Sequence, residues 1–174
     1  VIQGFEGVFN PSEDGTWDWQ WKGPENDKEW AWLMNRHRFL LFLVDAAEEG
    51  TEGAYPRAND MLIDWIRSNP APARWSYSLS WRALEAARRI LGSWAPLLAR
   101  DDIDSWVSPE LENLWYQSLR EHGNYLKKYH HFQGNHLITE MNALLLLSKL
   151  LQDTPDASDW REYALSRLTK ELDK

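Results

Sequence analysis

Apolar side chains recur at helical spacing in six successive segments, and this periodicity is the feature that most restricts the fold. Recognisable signals bound the segments: Ser108-Pro109 is a cap followed by a first-turn proline, and Asn69-Pro70 stops a helix. The predicted helices run from about Asp27 to Gly50, Pro56 to Ser68, Leu79 to Leu98, and onward from Pro109, Asn135 and Asp156. Because no strand–helix alternation occurs, we predict an all-α fold of helical hairpins.

Short links and the absence of a fixed-period repeat leave a bundle, a solenoid and an α/α toroid open. The third helix is expected to bend near Gly92 or Pro96. The last helix ends without a stop signal, so we expect the chain to be part of a longer one.

Tryptophan is unusually frequent, with 12 in 174 residues. Core packing is the ordinary explanation for any one of them, but an excess also suits flat platforms for sugar rings. Trp17, Trp19 and Trp21 alternate with polar residues between turn-forming glycines and prolines, which is typical of an extended segment. We therefore predict an extended, Trp-rich arm over residues 1–26 and a helical domain over residues 27–174.

The composition excludes several classes of function. Without cysteine, the chain has no disulfide, thiolate zinc site, iron–sulfur cluster or cysteine nucleophile. Lys and Arg number 19 against 27 Asp and Glu, and the net charge of −8 opposes a broad nucleic-acid-binding face. No apolar run reaches the roughly 18 residues of a membrane span. We expect no nucleic-acid partner, no membrane partner and no cofactor.

The strongest candidate for chemistry is the segment 134–140, GNHLITE, where a glycine ends one element and a helix begins. Free backbone N–H groups and the positive end of the helix dipole meet at such a point, which can hold a carboxylate or phosphate. The side chains of Asn135 and His136 can donate to the same anion. Asn135 is equally suited to be a helix cap, and His136 to pair with Glu140 one turn later.

Two further segments interrupt apolar helices with charged groups. One is residues 35–38, NRHR, in the first predicted helix, and arginine there suits recognition of carboxylate or sulfate. The other is residues 81–89, where three positions share a helix face: Trp81, Glu85 and either Arg88 or Arg89. Pairing with acids elsewhere on the surface explains either segment equally well.

Taken together, these residues resemble the N-terminal domain of the heparinase II/III family of polysaccharide lyases. The resemblance covers nearly the whole chain from about Trp17, and its most specific part is residues 134–140. It also includes Glu29-Trp30 leading into 35–40, Asp64-Trp65-Ile66 with Asn69-Pro70, Trp81 with Arg88, and Trp160 with Leu168.

The resemblance implies an incomplete α/α toroid followed by a large β-sandwich domain that this chain lacks. It implies β-elimination on uronic-acid polysaccharides such as heparan sulfate or alginate, in a periplasmic or secreted enzyme. Asn135 would neutralise the uronate carboxylate, with His136 beside it as the second catalytic residue. The implied substrate-binding residues are Trp30, Arg36, His37, Trp81, Arg88 and Glu140.

The same resemblance places the tyrosine that acts as base or acid, and a further histidine, beyond this chain. The isolated fragment is therefore expected to be inactive, with an anionic polysaccharide and the β-sandwich domain of the same chain as its partners.

Three other interpretations remain open from the residues alone. A toroid glycoside hydrolase needs an acid and a base carboxylate, and its candidates are Glu140, Glu85 and Asp64. A non-catalytic helical adaptor would bury its tryptophans and have no cleft near Asn135. A histidine metal site would use His130, His131 and His136, but no metal-ligand spacing is met, so we predict no metal.

Overall fold

The structure is a computed structural model, and it describes residues 9–174. Within this range no β-strand occurs, and the prediction of an all-α fold is confirmed. The helices are α1 (Lys28–Asn35), α2 (Arg38–Glu48), α3 (Ala54–Ser68), α4 (Ala83–Arg89), α5 (Ala95–Leu98), α6 (Pro109–Lys128), α7 (Gly134–Leu150) and α8 (Ala157–Leu172). A π-helical turn, Ile90–Trp94, joins α4 to α5, and a 3-10 turn, Ile103–Ser105, precedes α6.

The first predicted helix is two helices in the structure, since the chain turns between α1 and α2. His37 adopts the left-handed conformation there, with a φ of 62°, which is strained for a residue with a side chain. The turn is held by partners far along the chain: Ser93 Oγ donates to the Arg36 carbonyl at 2.7 Å, and Trp94 Nε1 donates to His37 Nδ1 at 3.0 Å. The turn between α1 and α2 therefore depends on tertiary contacts that cannot be predicted from the local sequence.

Local sequence signals explain most other boundaries. Asp27 caps α1 by accepting from the Glu29 backbone N–H at 3.0 Å. Ser108 caps α6 through the Leu111 N–H at 3.1 Å, as the Ser-Pro pair predicts. The third predicted helix begins at Ala83 rather than Leu79 and widens into the π turn around Gly92. Pro96 cannot donate a backbone hydrogen bond to this turn, which favours the wider geometry.

The core lies where α4, α6 and α7 pack on one another, with α3 against α6 and α8 against α7. Eight tryptophans are buried: Trp19, Trp30, Trp65, Trp81, Trp94, Trp106, Trp115 and Trp160. The excess of tryptophan therefore serves mainly core packing. Four others are half-buried, namely Trp17, Trp21, Trp32 and Trp75.

The predicted arm is described from residue 9 onward, and its first eight residues lie outside the described range. Residues 9–26 are irregular turns, and the indoles of Trp17, Trp19 and Trp21 gather around the Phe9 ring at centroid distances of 5.0, 5.4 and 6.1 Å. Trp19 is only 3% exposed and donates to Asp64 of α3 at 2.7 Å. This segment thus completes the core over α1 and α3.

None of the helices within residues 9–174 has the length and apolarity required to cross a membrane.

Candidate functional site

The segment 134–140 forms the start of α7, as the sequence predicts. Gly134 has a φ of 76°, a conformation that favours glycine, and it turns the chain into the helix. Asn135 lies in the first turn and is exposed. Its side-chain amide makes no hydrogen bond to any residue from 9 to 174, whereas its carbonyl accepts from Thr139 Oγ1 at 2.9 Å. The amide is therefore not used as a cap and is free to meet a ligand.

The Gly134 backbone N–H donates to a Glu171 carboxylate oxygen of α8 at 2.7 Å. A protein carboxylate therefore already contacts the N-terminus of α7, where the helix dipole favours negative charge. This contact supports the expectation that the start of α7 attracts carboxylates.

Two arginines share one buried carboxylate on α4. Arg36 Nη2, from the end of α1, lies 3.0 Å from Glu85 Oε1, and Arg82 Nη1 lies 3.2 Å from the same oxygen. The Glu85 side chain is fully buried, while Arg36 and Arg82 keep 13% and 21% of theirs exposed. The Arg82 guanidinium also lies over the Trp32 ring, 4.3 Å from its centroid.

A second buried carboxylate belongs to Glu140 on α7. Its Oε2 accepts from the His131 backbone N–H at 2.7 Å, and its Oε1 lies 2.6 Å from His131 Nδ1. The His131 ring meets the His136 ring edge-on, with centroids 4.7 Å apart. His131 keeps 29% of its side chain exposed, and Glu140 keeps none.

His136 lies on α7, which packs on α4, and the charged groups of both helices act on its pKa. Burial lowers its pKa below the ordinary value, and the neighbouring His131 and Arg82 lower the pKa further, whereas the carboxylates of Glu140 and Glu85 oppose the shift. We call Arg36, Arg82, Glu85, His131, His136 and Glu140 the histidine–arginine cluster. Asn135 adjoins it as the residue before His136.

The cluster presents hydrogen-bond donors to solvent although its formal charge is balanced. Both carboxylates are fully buried, whereas the two guanidinium groups and the His131 ring are partly exposed. An approaching ligand therefore meets nitrogen donors first and the carboxylates only behind them. Such a surface suits an anion despite the net charge of −8.

Exposed aromatic rings lie beside the cluster. Trp75 packs edge-on against His131 and against Tyr77, with centroid distances of 5.6 and 5.8 Å. Tyr77 is 80% exposed, and Phe132, the residue after His131, is 88% exposed. Rings of this kind offer apolar faces on which sugar rings can stack.

Four residues implied by the resemblance lie elsewhere. Trp30, Trp81 and His37 are buried, with 3%, 2% and 1% of their surface exposed, so none of them is available to a polysaccharide. Each is occupied by core packing, as when Trp81 Nε1 donates to the Asn69 carbonyl at 2.9 Å. Arg88 is exposed on α4 but is not part of the cluster. Glu140 belongs to the cluster and contacts His131 instead of solvent.

The interior fixes the backbone that carries Arg36. The fully buried Arg89 donates from Nε to the Asn35 carbonyl at 2.7 Å, and its guanidinium lies 3.9 Å from the Trp65 ring centroid. Arg89 Nη1 also meets His122 Nε2 at 2.7 Å. Because Trp81, Glu85 and Arg89 are all buried, Arg88 is the member of the face predicted for residues 81–89 that reaches the surface.

The structure weakens the interpretation as a glycoside hydrolase. Glu85 and Glu140 are buried beneath their partners, and Asp64 accepts from Trp19. Of the three histidines considered for a metal, His131 and His136 pack against each other, whereas His130 Nε2 meets Tyr163 Oη at 2.7 Å. Among residues 9–174, no three histidine or acidic side chains converge in a way that would hold a metal ion.

Sequence analysis did not single out Arg82, Trp75 and Tyr77, and it considered His131 only as a metal ligand. Arg82 and Glu85 are three residues apart at the start of α4. This spacing allows an ion pair on a helix and could have been used to predict one. His131 precedes the glycine that opens α7 by three positions, but no local pattern shows that it pairs with Glu140. Trp75 and Tyr77 lie in a loop, where helical periodicity gives no guidance.

Comparison with known proteins gives consistent results. The family model described as Heparinase II/III N-terminus matches residues 2–174. A heparin-sulfate lyase from Bacteroides thetaiotaomicron is 23% identical over 94% of this chain and 24% of its own length. One from Pedobacter heparinus is 24% identical over 97% of this chain and 25% of its own length. The chain thus spans about a quarter of these curated relatives.

Two solved structures share the fold. A heparinase III superposes with a TM-score of 0.76 at 22% identity, covering 99% of this chain and 29% of that one. A heparan sulfate lyase from Pedobacter heparinus gives a TM-score of 0.73 at 23% identity, over 98% of this chain and 26% of that one. These likenesses confirm the predicted architecture, in which the helices form part of an α/α toroid. Since the family model covers nearly the whole sequence, the chain belongs to the heparinase II/III family as its N-terminal domain.

Proposed function

We propose that this chain is the substrate-binding helical domain of a polysaccharide lyase that cleaves heparan sulfate-like polymers by β-elimination. One observation carries the proposal: the Asn135 side-chain amide is exposed at the start of α7 without a hydrogen-bond partner among residues 9–174, and the next residue, His136, belongs to the histidine–arginine cluster. The relatives named heparin-sulfate lyase support the substrate class.

The chemistry needs a donor at this place. While the uronate carboxylate is charged, the neighbouring C5 proton is poorly acidic, and its removal builds an enolate-like dianion. The Asn135 amide at the positive end of α7 would hold the carboxylate and stabilise the added charge most strongly in the transition state. His136 lies next to it as a group able to accept or donate a hydrogen bond.

The surroundings supply binding. Arg36 and Arg82 would contact carboxylate or sulfate groups, with Glu85 holding both guanidinium groups in place. Tyr77 and Phe132 would stack on neighbouring sugar rings, with Trp75 behind them. These exposed rings, and not the buried Trp30 and Trp81, are the proposed carbohydrate contacts.

The proposal includes a partner and a location. The relatives extend well beyond the quarter of their length that matches, and the β-sandwich domain implied by the resemblance belongs to that remainder. It would bring the tyrosine and the further histidine needed for proton transfer, so this domain alone is expected to bind without turnover. A polyanion does not cross a lipid bilayer unaided, which supports a periplasmic or secreted enzyme.

The test is Asn135→Ala in the complete lyase, assayed by the absorbance of unsaturated uronide on heparan sulfate and alginate in parallel. Loss of one transition-state donor should lower kcat by about 10²–10³, with a smaller change in KM. Asn142→Ala, an equally exposed asparagine later on α7, is the matched control and should keep full activity.

An unchanged rate in Asn135→Ala would refute the role of this amide. Products without a double bond would favour a hydrolase, and faster elimination on alginate than on heparan sulfate would move the substrate class to alginate.

A further inference from the structure

Glu140 is a buried carboxylate whose hydrogen bonds go to a single residue. Both of its oxygens contact His131, one through the backbone N–H at 2.7 Å and one through Nδ1 at 2.6 Å. Taking a carboxylate out of water is costly, and a buried ion pair seldom returns the whole cost as stability. A role in fixing His131 explains the arrangement better than a role in stabilising the fold.

The contact sets the state of the His131 ring. An ionised carboxylate only accepts hydrogen bonds, so the hydrogen of the His131 ring lies on Nδ1, and Nε2 is left for other contacts. The backbone contact fixes the start of the same side chain. Glu140 therefore determines both the orientation and the tautomer of His131, as outer-shell carboxylates do for metal-bound histidines.

His131 in turn meets the residue beside the proposed carboxylate donor. Its ring packs edge-on against His136 with centroids 4.7 Å apart and edge-on against Trp75 with centroids 5.6 Å apart. His136 is thus supported by the His131 ring, which is itself held by the buried Glu140 carboxylate of α7.

We propose that Glu140 and His131 are positioning residues that hold His136 in place and keep it an uncharged hydrogen-bond acceptor beside Asn135. The inference rests on the proposed function for its catalytic meaning. In this proposal Glu140 acts through His131 and does not touch the substrate, whereas the resemblance implied a direct substrate contact.

The electrostatics agree with this assignment. The groups that face His136 are His131 from the preceding loop, Arg82 and Glu85 from α4, and Glu140 from its own helix. Burial is the largest cause of the lowered pKa of His136, and the His131 ring that packs against it contributes to that burial. Because only a neutral imidazole can accept a proton, a lowered pKa keeps His136 available near neutral pH.

The first experiment needs no turnover and uses the 174-residue chain in nitrogen-detected NMR of the histidine rings. Wild type should show the ring hydrogen of His131 on Nδ1. In Glu140→Gln the side-chain amide donates to Nδ1, so the hydrogen should move to Nε2. Glu162→Gln, the same change on an exposed carboxylate of α8, should leave the His131 signals unchanged.

His131→Asn separates the effect of the His131 ring on His136 from the effect of the hydrogen bond to Glu140 on stability. The asparagine amide can still donate to Glu140, so the unfolding temperature should stay within a few degrees of wild type. The ring that packs on His136 is lost, so water reaches His136 and its lowered pKa should rise toward the ordinary value. An unchanged His136 titration in this folded variant would overturn the proposal, and so would an unchanged His131 tautomer in Glu140→Gln.

In the complete lyase, Glu140→Gln and His131→Asn should each lower kcat about 10–100-fold with KM altered less than about twofold. A rise in KM alone would overturn the positioning role in favour of direct substrate contact. The two proposals can fail separately. An unchanged kcat in Asn135→Ala would refute the lyase chemistry, whereas the NMR signals of His131 and His136 test the positioning role without any activity.

Discussion

At the scale of single residues, the molecule keeps several titratable side chains uncharged in its interior. His37 and His122 are fully buried, and burial, followed by the charge of Arg89, holds the pKa of each well below the ordinary histidine value. His122 Nδ1 donates to the Ser118 carbonyl at 2.6 Å, which leaves Nε2 as the acceptor for Arg89. The neutral histidine is therefore required by its partners as well as by burial.

These histidines predict a loss of stability on mild acidification. The unfolded chain takes up a proton at each histidine near pH 6.5, whereas the folded chain keeps His37 and His122 neutral. The unfolded state then binds more protons, so stability falls as the pH drops below about 6.5, by about 1.4 kcal/mol per pH unit for each histidine. Urea denaturation between about pH 7 and pH 5 measures the slope.

His122→Gln tests the origin of that slope, because the glutamine oxygen can still accept from Arg89 but does not titrate. The variant should be less stable at pH 7 and should lose the share of the slope that belongs to one histidine. A slope equal to that of wild type would show that His122 takes up its proton over the same pH range in the folded and the unfolded chain.

At the scale of helices, two helices can approach closely where a glycine leaves room for a side chain of the neighbouring helix. A Cβ built on Gly123 of α6 would lie 2.5 Å from the ring of Trp160 on α8, closer than atoms can approach. Gly92 in the π turn has no atom within 4 Å of such a Cβ. The two glycines therefore have different functions although both lie in helical segments.

Gly123→Ala should destabilise the chain by about 1–3 kcal/mol, because overpacking outweighs the roughly 1 kcal/mol by which alanine favours a helix. Gly92→Ala is the matched control and should change stability by no more than about 1 kcal/mol. Urea denaturation of both variants gives the comparison. Trp160→Phe in the Gly123→Ala background should recover part of the loss, and failure to do so would place the strain elsewhere.

Local signals predicted the elements but not the contacts between them. The Ser108 cap, the start of α7 and the bend around Gly92 were all visible in the sequence. The break at His37 was not, because Ser93 and Trp94, which hold it, lie more than 50 residues away. For the same reason, Asn135 and His136 could be named from their motif, whereas the effect of Arg82 on His136 and the burial of Trp30 and Trp81 required the fold.

At the scale of the whole molecule, a protein with a net charge of −8 is proposed to bind a polyanion. The long-range field opposes that approach, while the donors of the histidine–arginine cluster act only at short range. The repulsion is screened over a Debye length of about 8 Å at physiological salt but reaches about 30 Å at 0.01 M. Raising the salt should therefore weaken the remote repulsion before it weakens the contacts in the site.

The double variant Glu49→Gln and Glu52→Gln tests this balance. Both carboxylates are exposed beyond the C-terminal end of α2, about 16 Å along the helix axis from the turn that carries Arg36. Heparan sulfate oligosaccharides should bind the variant about two- to fivefold more tightly than wild type at 0.01 M salt, and equally at 0.15 M. Calorimetric titration at both salt concentrations measures the difference, and Arg82→Ala should weaken binding at both. A gain in the double variant that persists at 0.15 M would mean that these carboxylates lie close to the bound polymer, and that the binding surface extends beyond the cluster.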